Sequence, residues 1–314
     1  MTAYVARRLL QLLPVVLLVS AIVFFVFRII PGDAAVARLG EAADPESVAR
    51  LRRTMGLDRP VYVQYLVWLG RAVRGDLGES QVNRQGVFSL VIEKFPATLE
   101  LAGLGIGLSL MLSVPVGILS ALRRGTLLDH FTRLAAMIGF CVPRYWLAVL
   151  LILFFAVQWR LFPPAGHIPF GEQPLANLRF VALPALSVAL TLAAVQMRFL
   201  RSSLLDIIAQ EYIRTAHAKG LAHRAVVLHH ALKNALIPFV TVVGLEFGNL
   251  LGGLVVVEQI FSWPGVGWLM VQSIIHRDYA VVQGAVLLIA TGFVTINLLV
   301  DVAYAALDPR IRYS

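Results

Sequence analysis

The stretch ALIPFVTVVGLEFGNLLGGLVVV, residues 235–257, contains Glu246 as its one charged side chain. A helix of about 20 apolar residues is long enough to cross the hydrocarbon core of a bilayer, so this stretch is predicted to span a membrane. Comparable runs recur along the chain, and they predict an all-α integral membrane protein of six transmembrane helices. The other predicted spans are Leu9–Phe27, Leu101–Leu122, Leu134–Val157, the shorter Val181–Met197, and Ala280–Val300.

The amino-acid composition argues against a water-soluble domain. Of the 314 residues, 59% are hydrophobic and 14% are charged, whereas soluble domains carry about 25% charged residues. A net charge of +9 is also found in proteins that bind nucleic acid. The arginines instead cluster at the ends of apolar runs, as membrane topology requires, so nucleic acid is not a predicted partner. Cys141 is the only cysteine, which excludes an intrachain disulfide and a cysteine-based metal site.

The distribution of basic residues predicts the topology. Arg7 and Arg8 precede the first apolar run, which exceeds the about 7–15 residues of a signal-peptide core and therefore reads as an uncleaved span. Basic residues concentrate on the side of the N-terminus, so both termini are predicted to be cytoplasmic in a multi-pass protein of the cell inner membrane. The predicted domains are residues 1–30 with the first helix, an extracytoplasmic segment 31–96, and a core 97–314 of five helices with a cytoplasmic loop 202–234.

The extracytoplasmic segment is too polar to span the membrane, and it is predicted to form a small ordered cap. It carries a helical pattern at Val48, Leu51 and Met55, followed by the aromatic residues Tyr62, Tyr65 and Trp68. This cap and the loop Phe261–Tyr279 are the expected docking surface for an external protein, although the cap could equally serve only to cover the bundle.

The cytoplasmic loop contains a run of small and polar residues, Thr215–Ala218, that favours a short helix. Gly220 is predicted to end this helix, because glycine is common just past a helix C-terminus. Such a helix could press into a groove on another protein, but the pattern alone is equally typical of a solvated loop. The histidines nearby could hold a metal, but without a carboxylate or cysteine to complete a set they read as solvated loop residues. They are His217, His223, His229 and His230.

Two charged residues lie near the middle of predicted spans. A charge there costs about 2.5–3.5 kcal/mol on insertion scales, and such charges are usually functional or paired. Arg144 and Glu246 are each about ten residues into a span, and Asn249 shares the side of Glu246. Gly244, Gly248 and Gly252 recur every four positions, which predicts close helix packing along that stripe, and Glu246 points away from it. Arg144, Glu246 and Asn249 are predicted to face a translocation cavity. The alternative is an Arg144–Glu246 ion pair that only holds the bundle together.

Ordered motifs along nearly the whole chain resemble the binding-protein-dependent ABC importer permeases. In the cytoplasmic loop, Arg214-Thr215-Ala216 stands where that family has Glu-Ala-Ala, with Gly220 in register. The other motifs lie toward the outer ends of the predicted spans and at the chain's end. They are Pro31-Gly32-Asp33, Pro96-Ala97-Thr98-Leu99-Glu100-Leu101, Val257-Glu258, Phe261-Ser262-Trp263-Pro264-Gly265 with Gly267, Arg277-Asp278-Tyr279, and Asp308-Pro309-Arg310. The pattern is most similar to the B-type subunit of dipeptide, oligopeptide, glutathione or nickel importers.

This resemblance implies a type I ABC importer permease fold and a set of partners. Those partners are a second, related but non-identical permease subunit, two cytoplasmic ATPase subunits, and an extracytoplasmic solute-binding protein. ATP and Mg²⁺ would bind the ATPase subunits, and no cofactor is expected on this chain, which lacks a P-loop. The residues expected to couple to an ATPase are Arg214, Thr215, Ala216, His217, Ala218, Lys219, Gly220 and Leu221.

The resemblance leaves the substrate open among peptides, glutathione and a nickel chelate. A proton-driven secondary transporter is the first alternative from another class, and it would show inverted repeats and broken helices. A membrane-embedded enzyme is the second alternative. It would need a nucleophile–base motif within the spans, and the sequence contains no such motif.

Overall fold

The computed structural model describes residues 2–29, 44–54 and 56–307. Their regular structure is helical, apart from one isolated antiparallel bridge between Glu79 and Gly86. The motifs Pro31-Gly32-Asp33 and Asp308-Pro309-Arg310, and Met55, lie outside the described residues. The helices are α1 (Thr2–Ile29), α2 (Pro45–Thr54), α3 (Val61–Ala72), α4 (Val87–Leu122), α5 (Leu127–Cys141), α6 (Arg144–Gln158), α7 (Pro174–Ile208), α8 (Glu211–Ala218), α9 (His223–Ile260), α10 (Val266–Ile275) and α11 (Tyr279–Leu307).

Several of these helices match the predicted membrane spans. Within the described residues, α4, α7, α9 and α11 are each long and apolar enough to cross a membrane, and the bent pair of α5 and α6 makes a fifth candidate. The first predicted span is helical within α1, whose apolar portion Leu13–Ile29 is shorter than the others. The prediction of a helical, multi-span membrane protein is therefore confirmed at this coarser level.

The prediction of one continuous helix over Leu134–Val157 is wrong. α5 ends at Cys141, α6 begins at Arg144, and the two helices are bent by 103°. Val142 between them is extended (φ −78°, ψ 121°), because a residue that precedes proline is pushed out of the helical region. Pro143 also lacks the N–H that would continue the hydrogen bonds of the helix. The apolar run was continuous in composition but not in backbone conformation.

The predicted cytoplasmic loop 202–234 is also too long. α7 continues to Ile208 and α9 starts at His223, so the connection is residues 209–222. The predicted span Val181–Met197 stops before Arg198, and Arg201 follows soon after. Arg201 is in fact paired with Asp129, and the neighbouring Leu204 is fully buried, so the helix carries its charge without leaving the core.

The boundary predicted at residue 96 falls inside a helix, since α4 runs from Val87 through Pro96 without a break. Before α4, the predicted cap contains α2 and α3. The helical pattern predicted around Val48 is thus confirmed as α2.

The chain forms two compact units, one built around Pro96–Trp268 and the other from residues between Ala6 and Phe95 together with Leu269–Thr291. In the second unit, α3 packs on α1. The hydroxyl groups of Tyr65 and Ser20 are 2.9 Å apart and hydrogen-bonded, and the buried Phe24 ring contacts Tyr65 and Trp68. The aromatic residues of the predicted cap therefore anchor α3 to the first helix.

α7 lies at the centre of the first unit. The apolar residues buried along it include Val181, Leu183, Val188, Leu192, Leu200 and Leu204. α4 approaches it closely at Gly105, where an added Cβ would lie 2.7 Å from a methyl carbon of Val188. Small residues at such crossings let helix backbones approach each other in a membrane. The shorter predicted span, Val181–Met197, therefore belongs to the most buried helix of this unit.

Candidate coupling helix and pathway residues

The short helix predicted in the cytoplasmic loop is confirmed as α8, although it begins at Glu211, ahead of the predicted run Thr215–Ala218. Glu211 occupies its first turn, where a negative charge is favourable beside the helix N-terminus. Lys219 is the C-cap, and Gly220 follows in the left-handed region with φ +80°. The Gly220 N–H donates to the carbonyl of His217 at 2.9 Å. Glycine adopts this conformation without steric cost, which is why the helix ends here.

α8 is amphipathic and rests on its own chain through two residues. Ile213 and Ala216 are 2% and 8% exposed, and residues three apart share one helix face. They pack into a cluster with Ala121, Leu204, Val226, Ala231 and Ala235. Ala216, predicted as a coupling residue, is therefore turned toward the spans. The other predicted coupling residues are exposed: Arg214, Thr215, His217, Ala218, Lys219, Gly220 and Leu221.

The exposed face of α8 is polar and carries its own bonds. Arg214 forms an exposed ion pair with Glu211 at 2.9 Å. The Nε2 atom of His217 lies 3.3 Å from Nδ1 of His223. In the described part of the chain, no group of three or more His, Cys, Asp or Glu side chains is arranged to hold a metal ion. Together these side chains form a hydrated surface that charged groups of a partner could contact.

Arg144 is the first residue of α6, directly after Pro143. Its guanidinium packs against α9 at Gly253. A Cβ added to Gly253 would lie only 2.7 Å from Nη1 of Arg144. Among the described residues, no hydrogen bond or ion pair joins the side chains of Arg144 and Glu246, although the two charges are close enough to interact. The alternative of a direct Arg144–Glu246 ion pair is therefore not realised among the described residues. The structure does bring the two predicted charges into one neighbourhood, and no acceptor in the described part of the chain bonds the guanidinium donors of Arg144.

The opposite face of α9 packs against α11. Gly244 and Gly248 are buried, and a Cβ on Gly248 would lie 2.9 Å from Oδ1 of Asn297. The close packing predicted from the glycine spacing is confirmed at Gly248, whereas Gly252 faces open space. Since these glycines take up one side of α9, the half-buried Glu246 and the exposed Asn249 are turned away from the packed stripe, as predicted.

Glu258, a residue of the motif Val257-Glu258, lies at the centre of a buried hydrogen-bond network. It is 0% exposed and accepts hydrogen bonds from Thr98 Oγ1 at 2.7 Å and from the Trp268 N–H at 2.9 Å. Trp263 donates its indole N–H to the carbonyl of Ala97. The chain after α9 is thereby fastened to α4. Phe261 and Trp263 are buried, so the start of the predicted docking loop is internal.

Comparison with known proteins decides the family. A family model described as "Binding-protein-dependent transport system inner membrane component" matches residues 113–313, and the model of the N-terminal part of such membrane components matches residues 1–102. The chain belongs to this family. The resemblance found in the sequence motifs is thus confirmed, and the permease is an inner membrane component of a transport system.

The permease is similar to named relatives over its full length. It is 41% identical, with both chains fully covered, to a provisionally named peptide transport system permease of Brucella abortus strain 2308. It is 40% identical to a glutathione transport system permease of Escherichia coli O6:H1, again with both chains fully covered. It is 38% identical to a di/tripeptide transport system permease of Pseudomonas aeruginosa, covering 100% of this chain and 99% of the relative.

Proposed function

We propose that this permease is the peptide-translocating subunit of an ATP-driven ABC importer with a type I fold. The observation that carries this proposal is full-length similarity to permeases named for peptide, di/tripeptide and glutathione transport. In this proposal α1 also crosses the membrane, which brings the number of spans to six, and both termini lie in the cytoplasm. The segment between α1 and α4 is extracytoplasmic.

The proposed partners follow from the family. A second, related permease completes the membrane unit, and a solute-binding protein delivers substrate from outside. Two cytoplasmic ATPase subunits bind ATP and Mg²⁺ and hydrolyse the ATP, since this chain contains no P-loop. No cofactor is proposed for this chain.

α8 is proposed as the contact with one ATPase subunit. Its exposed face offers Arg214, His217 and Lys219, and its buried face, through Ile213 and Ala216, rests on the ends of the spans. When the ATPase subunits close on ATP, α8 moves and the spans tilt, opening the cavity to alternate sides. Coupling of this kind requires the ATPase to bind the two permease states with different free energy.

A bulky residue at Gly220 tests the coupling role. A Cβ there meets no heavy atom of the chain within 4 Å, so Gly220→Trp obstructs the partner's groove and, in the permease itself, strains only the local backbone at φ +80°. We expect uptake into proteoliposomes containing the complete importer to fall at least tenfold, with the complex still assembled. Gly220→Asn, which tolerates a left-handed backbone, should retain more uptake, and Leu127→Trp, at a position 88% exposed, should match wild type.

Cross-linking provides a second test of the same contact. Ala218→Cys in a Cys141→Ser background should form a disulfide with a cysteine placed in the groove of the ATPase subunit. Normal uptake by Gly220→Trp, together with no cross-link at residue 218, would contradict the coupling role of α8.

The pathway proposal concerns Arg144, Glu246 and Asn249. The guanidinium of Arg144 has no hydrogen-bonded acceptor in the described chain, so it is available to a substrate carboxylate. Glu246 provides the opposite charge for an α-ammonium group, and Asn249 can donate to or accept from a peptide bond. A zwitterionic peptide would thus find both charges it needs to replace lost hydration.

Substrate derivatives separate this role from a purely structural one. With the same binding protein, Arg144→Gln should reduce uptake of peptides with a free carboxylate more than uptake of C-terminally amidated peptides. Glu246→Gln should show the mirror preference with N-acetylated peptides. A uniform loss across all derivatives, repaired by the charge-swapped variant R144E/E246R, would indicate that the two charges only hold the bundle together.

A further inference from the structure

Asp129 is a buried carboxylate that joins three helices of the first unit. It lies near the start of α5 and is 1% exposed. Both oxygens accept from Arg201 of α7, Nε to Oδ1 at 2.7 Å and Nη2 to Oδ2 at 2.9 Å. Oδ1 also accepts from Ser120 of α4 at 2.7 Å, and Oδ2 accepts from the Gly125 N–H at 3.0 Å. The carboxylate therefore ties α4, α5 and α7 together.

All the hydrogen bonds of this cluster are internal. The planar guanidinium meets the carboxylate through two parallel bonds, which fixes both distance and angle. Thr132 donates to the Ser120 hydroxyl at 3.0 Å. With four donors satisfied, the carboxylate has no capacity left for a substrate or ion, so the cluster is a mechanical element rather than a binding site.

Ser120, Asp129 and Arg201 lie next to the apolar residues on which α8 packs. Ser120 is followed by Ala121, and Leu204 comes one turn after Arg201. Ala121 and Leu204 belong to the buried cluster that receives Ile213 and Ala216 of α8. The residues that hold α8 are thus the immediate neighbours of the residues that hold α4 and α7 to α5.

The apolar contact between α5 and α7 explains why an ion pair is needed there. It is formed by Ala136 of α5 with Ala194 and Met197 of α7, small or unbranched side chains that interlock little, and dispersion contacts carry no preferred direction along the helix axis. Such a surface resists separation better than sliding. The fork of hydrogen bonds between Arg201 and Asp129 is directional, so it resists sliding of α7 past α5.

We propose that the Asp129–Arg201 pair, completed by Ser120, is the positioning element that makes α4, α5 and α7 move as one body when α8 is displaced. The inference rests on the proposed coupling role of α8. Without the pair, displacement of α8 is absorbed by local sliding between helices, and ATP hydrolysis no longer drives substrate across the membrane.

A distance measurement tests the rigid-body claim without disturbing the pair. Spin labels are placed on Leu127→Cys of α5, a position 88% exposed, and on Asp206→Cys, an exposed position of α7. The background is Cys141→Ser in the complete importer. We expect one narrow distance distribution, unchanged between the nucleotide-free and the ATP-bound complex. A shift between the two states would overturn the proposal.

A variant measurement tests the functional consequence. Arg201→Lys keeps the positive charge but loses the two-pronged geometry. We expect ATP hydrolysis within twofold of wild type, peptide uptake per ATP reduced at least fivefold, and a broadened label distance. Arg133→Lys, the same substitution at an exposed arginine of α5, is the control and should leave uptake per ATP unchanged.

The outcomes separate this inference from the coupling proposal. Wild-type uptake per ATP in Arg201→Lys would overturn the role of the pair even if α8 cross-links to the ATPase. Absence of that cross-link would instead remove the coupling role itself. If Arg201→Lys fails to assemble, the distance measurement in the unaltered pair decides alone.

Discussion

The buried hydrogen-bond network around Glu258 predicts that Gly265→Ala destabilises the protein. A Cβ added at Gly265 would clash with the carboxylate atoms Oε1, Cδ and Oε2 of Glu258, at separations that real Cβ atoms essentially never show. The Glu258 side chain is 0% exposed and cannot swing into solvent. The backbone of Gly265 does not require a positive φ, so the effect of Gly265→Ala is purely steric.

The expected loss of stability follows from these contacts. Overpacking a closed site costs about 1–3 kcal/mol, and displacing the carboxylate breaks at least one hydrogen bond to a charged group, worth about 1.5–3 kcal/mol. The bonds at risk are those from Thr98 Oγ1 and the Trp268 N–H. Gly265→Ala should therefore lower the free energy of unfolding by about 3–5 kcal/mol.

Denaturant titration in detergent micelles, followed by tryptophan fluorescence, measures this loss. Gly252→Ala is the matched control, because its Cβ meets no heavy atom within 4 Å. Alanine favours the helix over glycine by about 1 kcal/mol, so this variant should be neutral or slightly more stable. In a Glu258→Ala background the obstruction is gone, and Gly265→Ala should cost less than about 1 kcal/mol. An equal cost in both backgrounds, or none in either, would refute the reasoning.

Two further predictions concern glycines in the first unit. Gly105→Ala brings its Cβ to 2.7 Å from a methyl carbon of the buried Val188 and should lower the free energy of unfolding by about 1–3 kcal/mol in the same titration. Gly103→Ala, with no heavy atom within 4 Å, should not destabilise. Gly220→Ala should cost about 1–2 kcal/mol through its φ of +80° alone, and Gly220→Asn should cost less. Equal effects of alanine and asparagine there would argue against backbone strain as the cause.

Local patterns were enough to predict the helical membrane protein and the short helix α8. Apolar runs of sufficient length predict spans because lipid accepts only backbone that bonds within itself. The stop at Gly220 was predictable because a left-handed residue ends a helix by its own backbone preference. The motifs also indicated the family, which the full-length matches confirm.

Polar contacts within the membrane unit were not predictable in this way. Arg201 bonds Asp129 from 72 positions along the chain, and Thr98 bonds Glu258 from 160 positions away. In sequence the predicted span stopped at Met197, and Arg198 and Arg201 were placed in the connection after it. Only the partner of Arg201 shows why the helix continues past it, since a paired and fully hydrogen-bonded charge can be buried.

The sequence alone therefore determined that this chain lies in a membrane as helices, where α8 ends, and which family it belongs to. These features depend on the solvent and on preferences that act within a few residues. The tertiary structure decided the 103° bend between α5 and α6, the inward placement of Ala216, and the pairing of buried charges. Those depend on which helices become neighbours, and neighbours in space are set by packing over the whole bundle rather than by local pattern.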